Sequence, residues 1–359
     1  MQCRKFVKRM SEVLCLNLTI TIVELQNITI PQGSPRHRRT KKIVVVFPNF
    51  FLTFAFTKRI TMIGKIKDSF TDIHFSGHES FPCRTLWLKK GYDFIKNNGD
   101  FNKDDVVVKL GVGKNMVSAI RYWYKAFGFL EESDIQWIAK YLFDDTTGKD
   151  KYLEDLGTLW LLHFLIVYHN HATLYNIFFT QFQMERQMFS RDHILKFVKR
   201  KLTESDLETA FNENTVKRDI AVLILNYCLP KNPQSNEEYS TLFLDLDLIR
   251  QKEKKSKDDD DSNYYFNYEG KRTVTDDIFL FALFLTKGKN EQVIDYEKLQ
   301  EIGLVFCMTD LEIISLLKRL SKKYPDYLAY HEHAGIRQLF INKEFELKQI
   351  LDNYYNANN

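Results

Sequence analysis

The 359-residue chain is 44% hydrophobic, enough to bury one large core or two to three modest ones. Its net charge of +4 divides unevenly, with +10 on residues 1–66 and −6 on the remaining 293, so any polyanion binding by the main body depends on local basic faces. Five scattered cysteines (Cys3, Cys15, Cys83, Cys228, Cys307) exclude a zinc or disulfide framework, and no apolar run reaches the ~18–20 residues that span a bilayer, which together point to a reduced cytoplasmic protein without a membrane partner.

Residues 1–70 read as a basic N-terminal extension with short β-like runs at 18–25 and 43–46. The apolar stretch 43–56 follows Arg36, Arg38, Arg39, Lys41 and Lys42 but is broken by Pro48 and Asn49. It lies too far inside the chain for a signal peptide. The change of texture after this stretch gives the expectation that translation starts near Met62 and that the upstream part is non-native.

Residues 71–133 form a predicted N-terminal helix-turn-helix domain, with helices at 85–95, 104–110 and 114–127. Asn98-Gly99 and Gly128 supply the stops. Residues 134–235 follow as a helical domain. Its segment 151–167 carries Leu153, Leu156, Leu159, Trp160 and Leu162, a central strut too short for a membrane. A helical block at 191–227 holds a second helix-turn-helix. Residues 236–290 are a predicted linker whose Lys252, Lys254, Lys255 and Lys257 run into Asp258 to Asp261, a charged surface insertion, before a helix at 276–286. Residues 291–359 read as a C-terminal winged-helix-like domain: helices at 296–302 and 309–321, the second around Leu311, Ile314, Leu317 and Leu320, then a strand pair ending in 336–342. The fold class is therefore mainly α with small β wings, built as multiple helix-turn-helix or winged-helix units around a helical core.

The tight Gly111-Val112-Gly113 turn joins two predicted helices at helix-turn-helix spacing. On the second helix Val117, Ile120, Tyr124 and Phe127 make an apolar stripe, with Met116 and Trp123 beside it, while Lys114, Ser118, Arg121 and Lys125 fall on another, polar face. Such a helix suits docking in a major groove. The plainer alternative is an ordinary amphipathic helix with a solvated basic face. Gly113-Lys114 also suggests a phosphate loop, but the spacing between glycines is wrong and Asn115 stands where Ser or Thr is required. In the second unit Val216, Ile220, Leu223 and Tyr227 form the buried stripe, and Lys217 and Arg218 project near the helix start. A structural three-helix unit is the alternative there. Lys196, Lys199, Arg200 and Lys201 add nearby positive charge.

Phe75-Ser-Gly-His-Glu-Ser-Phe81, the Lys109-Leu-Gly-Val-Gly-Lys-Asn-Met-Val stretch, Tyr152-Leu-Glu-Asp-Leu-Gly-Thr-Leu-Trp-Leu-Leu-His163, Phe189-Ser-Arg191, Thr215-Val-Lys-Arg-Asp219 and Ala334-Gly-Ile together resemble the DUF4007 family of bacterial proteins over residues 75–353. The resemblance implies a role in DNA phosphorothioation, the replacement of a non-bridging backbone oxygen by sulfur in anti-phage defence. It further implies partners: double-stranded DNA, a phosphoadenosine-phosphosulfate-reductase-like protein, an ATPase and a cysteine desulfurase. By the same resemblance this chain is the DNA-engaging component, and a related component acting as a DNA nickase keeps an enzymatic reading open.

A nickase needs carboxylates around a divalent metal, or a His or Tyr nucleophile with an acidic partner. His78 and Glu79, with His74 nearby, are the best local candidates, although a capping or core role is the simpler reading of such turn residues. His169-Asn170-His171 lacks the dispersed pattern of a metal nuclease motif. His331 and His333 share one side of a strand, but no third ligand accompanies them. Cys83 has only Arg84 beside it to activate a thiolate. No cofactor and no metal site is expected, except a divalent metal in the case of a nickase. The preferred function is a DNA-binding component of a phosphorothioation defence system. The alternatives are a DNA-nicking endonuclease of such a system and a winged-helix transcription regulator, which would protect a defined operator, usually as a symmetric dimer.

Overall fold

The computed structural model describes residues 73–230, 239–252 and 264–357. The expected features of residues 1–70 and the Asp258 to Asp261 run lie outside the described residues. All described residues belong to one unit, Phe56–Asn359, the other unit being Met1–Ala55.

The chain first forms α1 (Thr85–Lys96), α2 (Val106–Leu110) and α3 (Lys114–Ala126), within a residue or two of the predicted bounds. Gly111 ends α2 in the left-handed region at φ 60°, where a side chain would meet open space but strain the backbone. A short hairpin, β1 (Leu130–Glu131) and β2 (Asp134–Ile135), leads into α4 (Trp137–Phe143). The expected strut becomes α5 (Leu156–His169), which starts later than its apolar pattern. The Asp150 carboxylate accepts the N–H groups of Glu154 and Asp155, holding the preceding residues in a turn, and Asp155 then caps the helix by accepting from Thr158 N–H at 2.9 Å.

After α6 (Thr173–Ile177) the helix widens into a π-helical turn, Phe178–Phe182, which packs Phe178 and Phe182 against Phe189 and Phe266. The 191–227 block is two helices, α7 (Arg191–Glu204) and α8 (Glu213–Tyr227). Ser190 and His193 form a capping box for the first, and Asn212 caps the second. Strands β3 (Met188–Phe189), β4 (Ile249–Gln251) and β5 (Tyr264–Phe266) make an antiparallel sheet in the order β3-β5-β4.

The last segment runs α9 (Asp276–Thr286), β6 (Val293–Asp295), α10 (Tyr296–Val305), α11 (Asp310–Lys323), β7 (Leu328–His333), β8 (Ile336–Ile341) and α12 (Leu347–Ala357). Ala334 and Gly335, both at positive φ, turn the β7–β8 hairpin, and β6 joins it in the order β6-β8-β7. Of the four apolar positions that mark α11 in the sequence, only Leu317 and Leu320 face inward. The buried side is completed by Ile313 and Leu316, while Leu311 is 80% exposed.

The molecule is thus mainly helical with small antiparallel sheets. Helices α5 and α9, apolar on all sides, are buried almost along their whole length and serve as the central struts. Trp160 and Phe164 of α5 and Phe279 of α9 all pack ring to ring against Phe306. Among the described residues no helix is long and apolar enough to cross a membrane.

Candidate nucleic-acid interface

The polar face of α3 exists because its other side is fully used. Val117, Ile120, Trp123, Tyr124 and Ala126 are buried, the Tyr124 hydroxyl donates to Leu88 O, and Trp123 Nε1 donates to Phe81 O at 3.2 Å. Gly91 lets α1 approach, since a Cβ there would run into the Tyr124 ring. Lys114 and Ser118 are exposed, and Arg121 and Lys125 are half-buried. Arg121 is tethered: its Nη1 donates to Asn102 Oδ1 at 2.9 Å, and it lines a cleft of about 230 Å³ with Asp100, Asn102, Glu132 and Ser133. Lys114 and Lys125 have no ion-pair partner among the described residues. Beside this face the β1–β2 turn is acidic, with Glu131, Glu132 and Asp134 exposed.

On α8 the two predicted cations differ. Lys217 is paired with Glu213 at 2.5 Å, one turn earlier, whereas Arg218 is exposed and has no partner among the described residues. The next residue, Asp219, is buried and turns the other way. Its carboxylate accepts Ser76 N–H at 2.8 Å and lies 3.0 Å from His78 Nε2. The ring's other nitrogen, Nδ1, accepts Ser80 N–H at 3.2 Å, which fixes the proton on Nε2 and makes it the donor to Asp219.

The His78 ring stacks on Trp123 at 5.9 Å and meets the edge of Tyr122 at 5.5 Å. Gly77 sits directly against Tyr122, at φ 106°, where a Cβ would come within 2.6 Å of that ring. Burial and the Asp219 charge both raise the Tyr122 phenol well above its ordinary pKa, so it stays protonated. The loop from Phe75 to Phe81 therefore fastens α8 to α3.

The family described as a protein of unknown function, DUF4007, matches residues 75–355. The chain belongs to the DUF4007 family. Two solved structures resemble this DUF4007 chain at 25% identity. A crystal structure of magnesium ion-bound SspB has a TM-score of 0.69, covering 80% of this chain and 90% of that one. An SspB crystal structure has a TM-score of 0.67, covering 79% and 88%. No curated protein matches the chain.

Within the DUF4007 chain the sequence-level site residues fall into two groups. Lys114, Ser118, Arg121 and Lys125 do share one side of α3, and Lys217 and Arg218 do stand on the first turns of α8. His78 is 3% exposed with both ring nitrogens engaged in the clamp, while Glu79 beside it is exposed at φ 49°. Sequence reasoning missed that Asp219 joins the two helices and that Asn102 holds Arg121. It also missed the approach of His74 to His171, whose rings lie 4.8 Å apart, with Tyr122 5.4 Å from His171. The Phe75 to Phe81 and Thr215 to Asp219 motifs were the pointers to this junction, but nothing local to either names a partner 141 residues away. His331 rests edge-on against Phe340 at 5.1 Å. Among the described residues no group of three or more His, Cys, Asp or Glu is placed to hold a metal ion. Cys83 is fully buried, and burial pushes its thiol pKa well up, away from thiolate chemistry.

Proposed function

We propose that this chain is the DNA-binding component of a bacterial DNA phosphorothioation defence system, engaging duplex DNA through Lys114, Ser118, Arg121 and Lys125 on α3 and through Lys217 and Arg218 on α8. The observation that carries the reading is the outward presentation of Lys114 and Ser118 on a helix whose apolar side is packed into the core, directly after the left-handed Gly111 turn. The exposed Arg218 extends the same chemistry to α8. The order α1, α2, α3, β1–β2 and the order α9, β6, α10, α11, β7–β8 with its β6-β8-β7 sheet both support winged-helix-like units. Membership in DUF4007 and the likeness to SspB support placing the chain in the sulfur-modification system, with a reductase-like protein, an ATPase and a cysteine desulfurase as partners in the cytoplasm.

The acidic β1–β2 turn repels phosphate, so contact centres on the helices rather than on this wing. The tether from Arg121 to Asn102 makes Arg121 a shaped contact and leaves Lys114 the more accessible cation. The test is duplex binding across a salt series for the wild type, Lys114→Ala, Arg218→Ala and the Arg121→Ala/Lys125→Ala double variant. Removing a cation that touches a phosphate should weaken binding and flatten the logarithmic salt slope by about one unit. Unchanged affinity and slope in folded variants would reject these faces.

The magnesium ion held by the similar SspB structure favours one second reading, a DNA-nicking endonuclease. Magnesium-dependent relaxation of supercoiled plasmid, abolished in Glu79→Ala, would support it. Because His78 also fastens the clamp, His78→Ala informs on catalysis only if the variant keeps its wild-type thermal stability.

A further inference from the structure

The outer face of α11 has chemistry unlike that of α3. Leu311, Ile314, Ser315, Lys318, Arg319 and Lys322 follow one another along one side of the helix and form one open, shallow surface. Leu311, at 80% exposure, is a large apolar side chain on a helix that already buries Ile313, Leu316, Leu317 and Leu320. Single exposed apolar residues are ordinary. Here Leu311 adjoins half-buried Ile314 and the aliphatic stems of Lys318 and Lys322, which makes a continuous apolar strip ending in cations.

The cations on this face are not equivalent. Arg319 lies on the same surface but its guanidinium grips both carboxylate oxygens of Asp276, so its charge is already paired. Lys318 stands only 3.7 Å from Glu332, which Arg337 also holds at 2.8 Å, and remains 61% exposed. Lys322 has no ion-pair partner among the described residues. The β7–β8 hairpin flanks the helix through this Lys318–Glu332 approach and through Tyr330 N–H donating to Ser321 Oγ at 2.9 Å.

Nucleic acid fits the first half of α11 poorly. The exposed residues in the first turns of α3 are Lys114, Asn115 and Ser118, without a carboxylate. In α11 the corresponding turns hold Asp310, Leu311 and Glu312. Both carboxylates are fixed in place: Asp310 accepts from Gln300 Nε2 at 2.8 Å, and Glu312 accepts Thr309 N–H at 2.8 Å in the capping box. Phosphates approaching there meet negative charge and an apolar side chain. An apolar anchor followed by carboxylates meets Leu311 and Ile314 first and the two lysines next.

We propose that the Leu311–Ile314–Lys318–Lys322 face of α11 is a docking surface for an amphipathic, acidic segment of a partner protein, which places the leucine and isoleucine against apolar anchors and the lysines against carboxylates. This surface is separate from the DNA-binding residues, so its failure and theirs are read by different probes.

The test titrates the full chain by fluorescence anisotropy against three labelled synthetic helical peptides, one amphipathic and acidic, one amphipathic and basic, and one acidic without apolar residues. The acidic amphipathic peptide should bind at least about tenfold more tightly than the other two. Leu311→Asp and the Lys318→Glu/Lys322→Glu pair should each weaken it about tenfold, with Leu311→Met retaining affinity. All these side chains are on the surface, and unchanged circular dichroism and thermal midpoint check the fold. Duplex-DNA affinity measured in parallel should not move. Equal binding of the three peptides, absence of binding, or insensitivity to the variants overturns the proposal. A fall in duplex affinity on charge reversal overturns it in favour of nucleic acid. Sedimentation that shows self-association abolished by Leu311→Asp overturns it in favour of a second copy of this chain.

Discussion

Asp219 stands one residue after Arg218, an exposed cation on the face proposed to meet DNA, yet it is itself only 5% exposed and its carboxylate receives Ser76 N–H and His78 Nε2–H. Removing it leaves the buried His78 Nε2–H and the half-buried Ser76 N–H without their acceptor, and such losses cost more than the pair itself contributes. Asp219→Ala should lower the unfolding free energy by about 3 kcal/mol in urea titration. Asp219→Asn keeps an oxygen acceptor at the same place and should recover part of that loss. An equal loss in both variants would show that charge, rather than hydrogen bonding, holds the loop. The sequence revealed that Phe75 to Phe81 was a distinctive turn, and it also suggested His78 as a reactive group. It also marked Asp219, as the end of the Thr215 to Asp219 motif, but not that the two motifs meet, because the contact runs across 141 residues.

At the level of elements, the helices whose polar caps lie next to their apolar stripe were legible with near-correct bounds. The helix expected at 309–321 appears as α11, and the glycines around Val112 announce the α2–α3 turn. The start of α5 was not, because its apolar pattern begins upstream of the residue that can cap it. Asp155 accepts from Thr158 N–H at 2.9 Å and also from the Tyr354 hydroxyl at 2.7 Å, so one carboxylate starts a central helix and ties the last helix to it. Asp155→Ala should therefore cost about 2 kcal/mol, the cap plus a tertiary hydrogen bond. Thr309→Ala, which removes a cap alone, should cost about 1 kcal/mol. Equal costs measured by chemical denaturation would mean that the Tyr354 hydrogen bond contributes nothing.

For the molecule as a whole, the centre carries a titratable group that it keeps uncharged. His163 is fully buried, with Nδ1 2.8 Å from the Tyr227 hydroxyl and Nε2 2.8 Å from Val305 O, so Nε2–H donates to the carbonyl and Nδ1 accepts from the phenol. Burial pushes its pKa down from 6.5 to about 3. The unfolded chain takes up this proton as pH falls through about 6.5, while the folded one refuses it until about 3, so stability is lost on acidification across that window. Between pH 7 and pH 5 the loss should reach about 2 kcal/mol. His163→Gln, which keeps hydrogen-bonding capacity without titrating, should remove that share of the pH dependence in parallel urea titrations. Identical slopes in both proteins would show that His163 titrates normally.

The sequence by itself determined the mainly helical class, most helix positions, the small C-terminal hairpin, the family and the sidedness of α3, because these follow from short-range periodicity, caps and turn residues read within a few positions of one another. Tertiary structure decided which of several apolar stripes turns inward, as in α11, where Ile313 and Leu316 are buried and Leu311 is left outside. It likewise decided that His78 serves a clamp, that Arg121 is held by Asn102, and that His74 comes to lie beside His171. The physical reason is that a helix has more than one face able to bury apolar area. Which face is buried, and which polar groups are desolvated and must find partners, depends on elements distant in the chain.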